Sequence, residues 1–408
     1  MDPVADEVVD VDVSAVVAGG DGLARAEDGR VTFVSGGLPG ERVRVVVEER
    51  KRDFARARVL EVLRPAAGRV DPPCPFVGAG CGGCDWQHLS PGLQRELKAD
   101  VVADALRRQG RVELEVAPGP DLPATGYRTT VRGVAEGGRF GFRRRASHDV
   151  VAVDPCLVVH PLLAELIAEG RFPDGEVVLR AGARTGDRLV IVQGDGEGTS
   201  VPDGVRVAGD HALRHGHRAW YHEEVAGRRW RISARSFFQA RADGADALVA
   251  EVAAALDGRP HGGALVDLYG GVGLFAGSLP DVGHATVVEE SLSSVADAKV
   301  NLSGRSARVV RADVARWGPA RATAVVADPP RAGLGAVGVR AVAATHAERL
   351  ALVSCDPAAL GRDTRLLADA GYVLRTATLV DLFPHTSHVE VVSRFDRLTP
   401  DGSPDAEN

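Results

Sequence analysis

The stretch Asp267-Leu268-Tyr269-Gly270-Gly271-Val272-Gly273-Leu274-Phe275 decides the fold. An apolar run, GALVDLY, ends in it, and a helical segment opens after Gly273. Glycines at such a turn let the backbone approach a ligand, and the N-terminus of the following helix points N–H groups at it. Gly271, Gly273 and Ala276 also satisfy the relaxed dinucleotide pattern G-x-G-x-x-A. Glu289, closing the next apolar run, is placed to hold a ribose hydroxyl pair. The loop indicates an adenosine-containing cofactor. By itself it does not choose between NAD and S-adenosylmethionine.

Outward from this loop, from about residue 243, apolar strand candidates alternate with helical segments: HATVVEE, a helix through 291–302, ARVVRAD, TAVVADPP, a helix near 336–346, RLALVSC and a helix near 357–370. Alternation of this kind predicts a parallel sheet covered on both faces. The runs YVLRTATLVDLF and HVEVVSRF, around PHTS, predict an antiparallel hairpin closing that sheet.

Three motifs follow apolar strands, at the ends where open α/β sheets bind ligands. They are Asp328-Pro329-Pro330-Arg331, Ser354-Cys355-Asp356-Pro357 and Phe383-Pro384-His385-Thr386-Ser387-His388-Val389-Glu390. A lone cysteine after a strand is usually inert core. The turn residues after Cys355 place it at a strand end instead. Glu390, in an apolar run, is either a satisfied structural carboxylate or a group with a raised pKa suited to proton transfer.

Towards the N-terminus, residues 9–64 read as short strands with Gly-rich turns, predicting a small closed barrel. It ends in EERKRDFARARVLEVLR, a basic cluster around Phe54 that suits either a solvated face or a nucleic-acid groove. Val70-Asp71-Pro72-Pro73 marks a boundary, residues 91–109 have helical periodicity, and residues 127–232 look mostly like strand. In the last segment, Phe140-Gly141-Phe142-Arg143-Arg144-Arg145 sets aromatics beside a basic run, either a solvated hairpin or a surface for unstacked bases.

The chain has 408 residues, 45% hydrophobic and 26% charged, which excludes wholesale disorder. No stretch spans a bilayer and the start lacks a signal-peptide pattern, predicting a cytoplasmic protein. Of the net charge of −7, residues 1–12 contribute −5 and residues 396–408 contribute −3, leaving the body near neutral at +1. Both acidic ends read as tails outside the fold. The basic residues are 46 Arg and 3 Lys, a bias that GC-rich codons explain more simply than phosphate binding does.

Five cysteines exclude a fully paired disulfide framework. Cys74-x6-Cys81-x2-Cys84, with Cys156 in VDPCLVVHP, offers four soft thiolates suited to zinc or an iron–sulfur cluster, and spacing alone slightly favours zinc. A thioredoxin-like reading of Cys81-Gly-Gly-Cys84 lacks its βαβ context.

Taken together, DLYGGVGLF, DPPRAG, SCDP, FPHTSHVE, the upstream Ser236–Gln239 (SFFQ) and the cysteine segment resemble the RNA 5-methyluridine methyltransferases. The resemblance covers essentially the whole chain except the tails. It implies a Rossmann-like class I methyltransferase domain over 233–398, preceded by an OB-like TRAM barrel over 1–66 and a β-rich, cluster-binding and RNA-binding domain over 67–232, with an acidic tail at 399–408. The helix at 91–109 is expected to pack on the methyltransferase domain. The implied reaction transfers a methyl group from S-adenosylmethionine to C5 of a uridine in tRNA or rRNA. Cys355 matches the family's nucleophile, Glu390 its general base and Asp328 the acid at the uracil edge. Gln239, Tyr269, Gly271, Gly273, Glu289 and Asp328 fall where the family lines its cofactor and base pocket, and Asp313 is placed towards the adenine. The resemblance also implies a [4Fe–4S] cluster on Cys74, Cys81, Cys84 and Cys156, and a monomer acting on an unstacked uridine.

The chain departs from the family's pattern in three places. Ala240 and Arg241 follow Gln239, Gly270 and Val272 stand where Cys and Asn are common, and Asp356 replaces the usual Asn. Two other classes remain: an NAD-dependent oxidoreductase with an auxiliary iron–sulfur cluster, and a non-catalytic RNA-binding protein on the same fold. The first gives SCDP and HVE no role. The second is disfavoured by the presence of both Cys355 and Glu390.

Overall fold

The computed structural model describes residues 7–398. The predicted tail at 399–408 and residues 1–6 lie outside the described residues. Residues 8–12 correct the expectation of an N-terminal tail. They form the first half of strand Val8–Val16, where Asp10 pairs with Arg44 and Asp12 with Arg42 and Arg64. Valines alternating with acids bury one face in a barrel while the acids meet arginines on the neighbouring strand.

That barrel is closed by Val8–Val16, Gly22–Arg25, Val31–Ser35, Arg42–Arg50 and Phe54–Arg64. Val43, Val45 and Val47 fill its centre with Val11, Val13 and Val34. The basic cluster near Phe54 is laced with acids: Arg56 pairs with Asp21 and Glu49, Arg58 with Glu48, Lys51 with Glu49 and Arg44 with Glu61. Phe33 and Phe54 meet edge to face, with Arg56 over both rings.

A second, six-stranded sheet runs in the order Val205–Gly209, Arg188–Val192, Gly175–Ala181, Thr130–Glu136, Arg139–Arg143, Val150–Ala152. Helix Pro161–Glu169 contributes Leu163, Leu166 and Ile167 to the core on one face of it. Phe140 belongs to that core at 2% exposure, which removes it as a surface for bases.

The third sheet has eight strands, in the order Ala307–Arg311, His284–Glu289, Ala264–Leu268, Ala324–Ala327, Arg349–Ser354, Val391–Arg397, Tyr372–Leu379, Ala117–Pro118. The first five are parallel, and the expected antiparallel hairpin follows. The sheet grows outward from Ala264–Leu268 through His284–Glu289, then reverses to Ala324–Ala327 on the other side. The two loops leaving this switch point diverge and open a crevice at the carboxyl ends of the strands. The short strand Ala117–Pro118 pairs in parallel with Thr378 and Leu379 at the far edge. Helix Pro91–Ala105, continued as a π turn over Leu106–Gly110, shares a core with this sheet: Val102 and Leu106 cluster with Leu360 and Leu367. Among the described residues no helix is long and apolar enough to cross a membrane.

Candidate active site

The glycine loop leaves strand Ala264–Leu268 as the sequence predicts. Tyr269 has φ +58°, Gly271 +55° and Gly273 +89°. A Cβ on Gly271 would meet nothing within 4 Å, so its backbone faces open space, whereas one on Gly273 would sit 3.0 Å from Leu302. The loop is held from below by carboxylates. Glu289 accepts from Gly271 N–H at 3.0 Å and Ser291 N–H at 2.7 Å. Asp267, which the sequence reading did not single out, accepts from Ala276 N–H at 3.0 Å and leaves its Oδ1 without a partner.

Asp328 follows strand Ala324–Ala327 across the crevice, and Gln239 Nε2 donates to its Oδ2 at 3.4 Å. Burial pushes both Asp267 and Asp328 up to about 7, and Asp267 is raised further by the charges of Asp328 and Glu289. Desolvation disfavours a lone carboxylate, and neighbouring carboxylates add to the penalty. The crevice is thus short of a positive charge. Asp313 stands at its outer rim, capping the turn Val314–Arg316 through Ala315 N–H, and its charge helps raise the Tyr269 hydroxyl, after burial.

Cys355 follows the fully buried strand Arg349–Ser354. The next residue, Asp356, accepts from Ala359 N–H at 2.8 Å and caps helix Pro357–Asp369, with Pro357 in the first turn. That cap holds the thiol at the mouth of the strand rather than in the core. Glu390 directly precedes strand Val391–Arg397 at 5% exposure. Burial raises it well above the carboxylate range, and Asp328 raises it further. The Cys355 thiol is pushed up to about 11, by burial first and then by Glu390 and Asp328; Arg331 acts in the opposite direction. The fold therefore gathers Asp328, Cys355 and Glu390 from three strand ends, with Gln239 against Asp328.

Cys355, Asp356 and His388 line a cleft of about 410 Å³ with Arg331, Lys98 and Asp85. Residues the sequence reading missed hold the loop between the last two strands. Lys98, fully buried, donates to Asp381 at 2.7 Å and to the Phe383 carbonyl at 3.0 Å. Gln94 Oε1 accepts from His385 N–H at 2.6 Å, Trp86 N–H donates to the His385 carbonyl at 3.0 Å, and Tyr127 donates to the Pro384 carbonyl at 3.0 Å. Gln94 and Lys98 lie one turn apart among the buried residues Leu97 and Val101. Two polar residues on an apolar helix face are the signal that could have found them.

The four cysteines Cys74, Cys81, Cys84 and Cys156 line one pocket with Phe76, Val77, Phe142, Leu157 and Val158. Burial raises the Cys84 thiol to about 11, and nearby Cys156 and Cys81 add to that. Among the described residues no group of three or more His, Cys, Asp or Glu side chains is placed to hold a metal ion.

Phe237, in the predicted SFFQ segment, is 68% exposed, two residues before the buried Gln239.

The chain matches the family model of the TRAM domain over residues 6–60 and that of tRNA (uracil-5-)-methyltransferase over residues 309–396. An uncharacterized RNA methyltransferase of Streptomyces coelicolor is 38% identical, covering 95% of this chain and 92% of the relative. A 23S rRNA (uracil(1939)-C(5))-methyltransferase of Chromohalobacter salexigens is 36% identical, covering 94% and 88%. The crystal structure of Pyrococcus abyssi tRNA (uracil-54, C5)-methyltransferase with S-adenosyl-L-homocysteine superposes with a TM-score of 0.71 over 94% of this chain and all of that one. At 23% identity, that last likeness is one of fold. With a uracil-C5 methyltransferase above 30% identity aligned over most of its length, the chain belongs to the S-adenosylmethionine-dependent RNA (uracil-5-)-methyltransferases.

Proposed function

We propose that this enzyme methylates C5 of a uridine in tRNA or rRNA through a covalent adduct with Cys355, working as a cytoplasmic monomer on a uridine drawn out of its stack. The observation that carries this reading is the convergence of Cys355, Asp328 and Glu390 at adjoining strand ends. When bound, S-adenosylmethionine supplies an electrophilic methyl group and a positive sulfonium. The residues around the crevice fit it: Gly271 leaves open space at the loop, Tyr269, Glu289 and Asp313 are assigned to its adenosine side, and the buried Asp267 and Asp328 lack a counter-charge.

Uracil C5 is a poor nucleophile. Cys355 gives up its thiol proton to solvent and adds as thiolate to C6, and the C5–C6 π pair moves onto C5 and O4. C5 then takes the methyl group, and the sulfonium sulfur keeps the bonding pair. Glu390 removes the C5 proton, the C–H pair re-forms C5=C6, and the Cys355 thiolate leaves. This is nucleophilic catalysis splitting one hard step into easier ones. A base with a raised pKa suits the proton abstraction. In the free enzyme Cys355 is a thiol, and Arg331 is the cation acting to lower it. Asp328 and Gln239 are placed to hold the uracil edge.

Cys74, Cys81, Cys84 and Cys156 are assigned to a structural [4Fe–4S] cluster. A shared, mostly apolar pocket lined by four soft donors fits a cluster, which spreads its thiolates farther apart than a single ion does. Stoichiometric zinc without brown absorbance in anaerobically purified protein would overturn that assignment. The reaction is tested by mapping 5-methyluridine in RNA from a deletion strain. Wild type should restore the mark and Cys355→Ala should not; restoration by both would remove Cys355 from the nucleophile's role.

A further inference from the structure

Strands of the six-stranded sheet alternate their side chains between two faces. Val131, Val177 and Leu179 face the core beneath helix Pro161–Glu169. The intervening residues Arg132, Glu176, Val178 and Arg180 lie on the opposite face, where Val178 is the cross-strand partner of Arg132 and of Ile191. They line a groove of about 610 Å³ with Arg214, Arg235 and Asp210.

Arg132 and Glu176 also line a second groove, of about 380 Å³, with Arg128, Arg143, Phe142, Phe383 and His388. His388 in turn lines the cleft that holds Cys355. Shared walls thus join three depressions into one furrow, running from the nucleophile over the edge of the catalytic loop and across the sheet. Its far end reaches Arg235, two residues before the exposed Phe237.

Six arginines line the two grooves against two carboxylates, Glu176 and Asp210. This is a concentration of positive charge in a chain whose net charge is −7. In the barrel the arginines of the basic cluster face acids, whereas here Arg214 pairs with Asp210 at 2.6 Å and the other five have no acid closer than 3.9 Å among the described residues. Arg235 has no hydrogen-bond or ion-pair partner among the described residues, and the nearest acid to Arg132, Glu176, is 3.9 Å away. Arg180 Nε is buried without a partner, while its Nη1 donates to the Ser236 carbonyl at 2.7 Å.

The geometry points to this furrow as the track for the single-stranded RNA backbone flanking the target uridine. A positively charged groove with an exposed aromatic beside it is how single strands are held irrespective of sequence. A duplex is the poorer fit, because the target base must leave its stack to reach a thiol at a strand end. The assignment deepens the RNA-methyltransferase reading and rests on it for the identity of the polyanion. It places the flank on the central sheet rather than on the barrel.

The test is binding by the full-length protein to two transcripts: a uridine-containing stem–loop with long single-stranded flanks, and the same loop trimmed of them. Arg132→Ser/Arg235→Ser should weaken binding of the flanked transcript about tenfold. It should also lower the slope of log K against log salt by about 1.4, since each single-strand phosphate that an arginine neutralises adds about 0.7 to that slope. The trimmed loop should bind wild type and variant alike. The control Arg340→Ser/Arg365→Ser, on exposed helix positions away from the furrow, should match wild type. Retention of S-adenosylmethionine affinity by the groove variant shows that it is folded. An unchanged salt slope in the groove variant, or an equal loss in the control, would overturn the track. Failure of the wild type to form 5-methyluridine would instead sink the proposed reaction, while the binding slopes still judge the groove.

Discussion

Asp85, the residue after Cys84, accepts hydrogen bonds from both the backbone N–H and the hydroxyl of Ser387, at 3.0 and 2.6 Å. Ser387 lies three residues before Glu390, so the cysteine segment grips the loop that leads to Glu390. The barrel joins the same junction, since Trp86 Nε1 donates to the Gly20 carbonyl at 3.1 Å. Asp85→Ala should therefore lower kcat by about 10- to 100-fold, the scale of a small misplacement of a catalytic group. S-adenosylmethionine affinity should hold, and Asp85→Asn, which keeps one acceptor, should fall between. Equal kcat in all three proteins would show that the loop keeps its shape without this contact.

The proposed nucleophile and the proposed base should fail in different ways. Cys355→Ala should give no methyl transfer and no RNA adduct. Glu390→Gln should transfer one methyl group and then stall, leaving protein joined to RNA on a denaturing gel, with turnover down by about 10²- to 10⁴-fold. Multiple turnover by Glu390→Gln would move the base role elsewhere.

Asp267 and Asp328, both raised to about 7 by burial, should make cofactor binding depend on pH. In the ligand-free fold they hold protons that the unfolded chain has already lost. Their contribution to stability is full below about pH 4 and is lost as pH rises through about 7. A sulfonium cation favours the ionised forms and reverses that preference. S-adenosylmethionine should bind more tightly as pH rises from 5 to 7, by up to about tenfold per unit for each proton released. Calorimetry in buffers of different ionisation enthalpy should register proton release at pH 6. Proton uptake there would contradict the counter-charge argument.

Lys98 and Asp381 form a buried pair, and breaking one side strands the other. Lys98→Met should cost about 3 to 5 kcal/mol in chemical denaturation, while Lys98→Met/Asp381→Leu should recover much of it. A loss that is the same in single and double variants would mean that shape, not charge, is what matters there.

Phe237→Ala should leave stability within about 0.5 kcal/mol, since the ring is mostly in water. It should weaken RNA binding by about 1 to 3 kcal/mol, the worth of one stacked base. A titration by filter binding that matches wild type would assign the ring no contact with RNA.

The methyltransferase sheet was legible because its signals are local. Each strand is a short apolar run, each motif sits at its end, and DLYGGVGLF, DPPR and SCDP all fall where the topology puts ligands. The barrel was legible for the same reason, through alternating valines. The clamp on the catalytic loop was not. Lys98 meets Asp381 across 283 residues and Asp85 meets Ser387 across 302, and nothing near either partner announces the other. Phe140 misled because an aromatic beside arginines looks exposed; strand alternation turned its ring into the core while Arg139 faces out. Asp10 and Asp12 read as part of a tail because charge was counted without pairing, yet each has an arginine across the sheet.

The edge strand Ala117–Pro118 has a consequence for dissecting the protein. The catalytic sheet borrows its last strand, and a helix packed against it, from residues that precede the central sheet in the chain. A fragment beginning after the hairpin Trp220–Val225 and Arg228–Ser233 would expose an unpaired edge at Thr378 and Leu379 and an apolar seam at Leu360 and Leu367. Uncovered strand edges recruit other chains. The methyltransferase unit is therefore discontinuous in sequence, and the residues before the central sheet cannot be cut away while that unit is left intact.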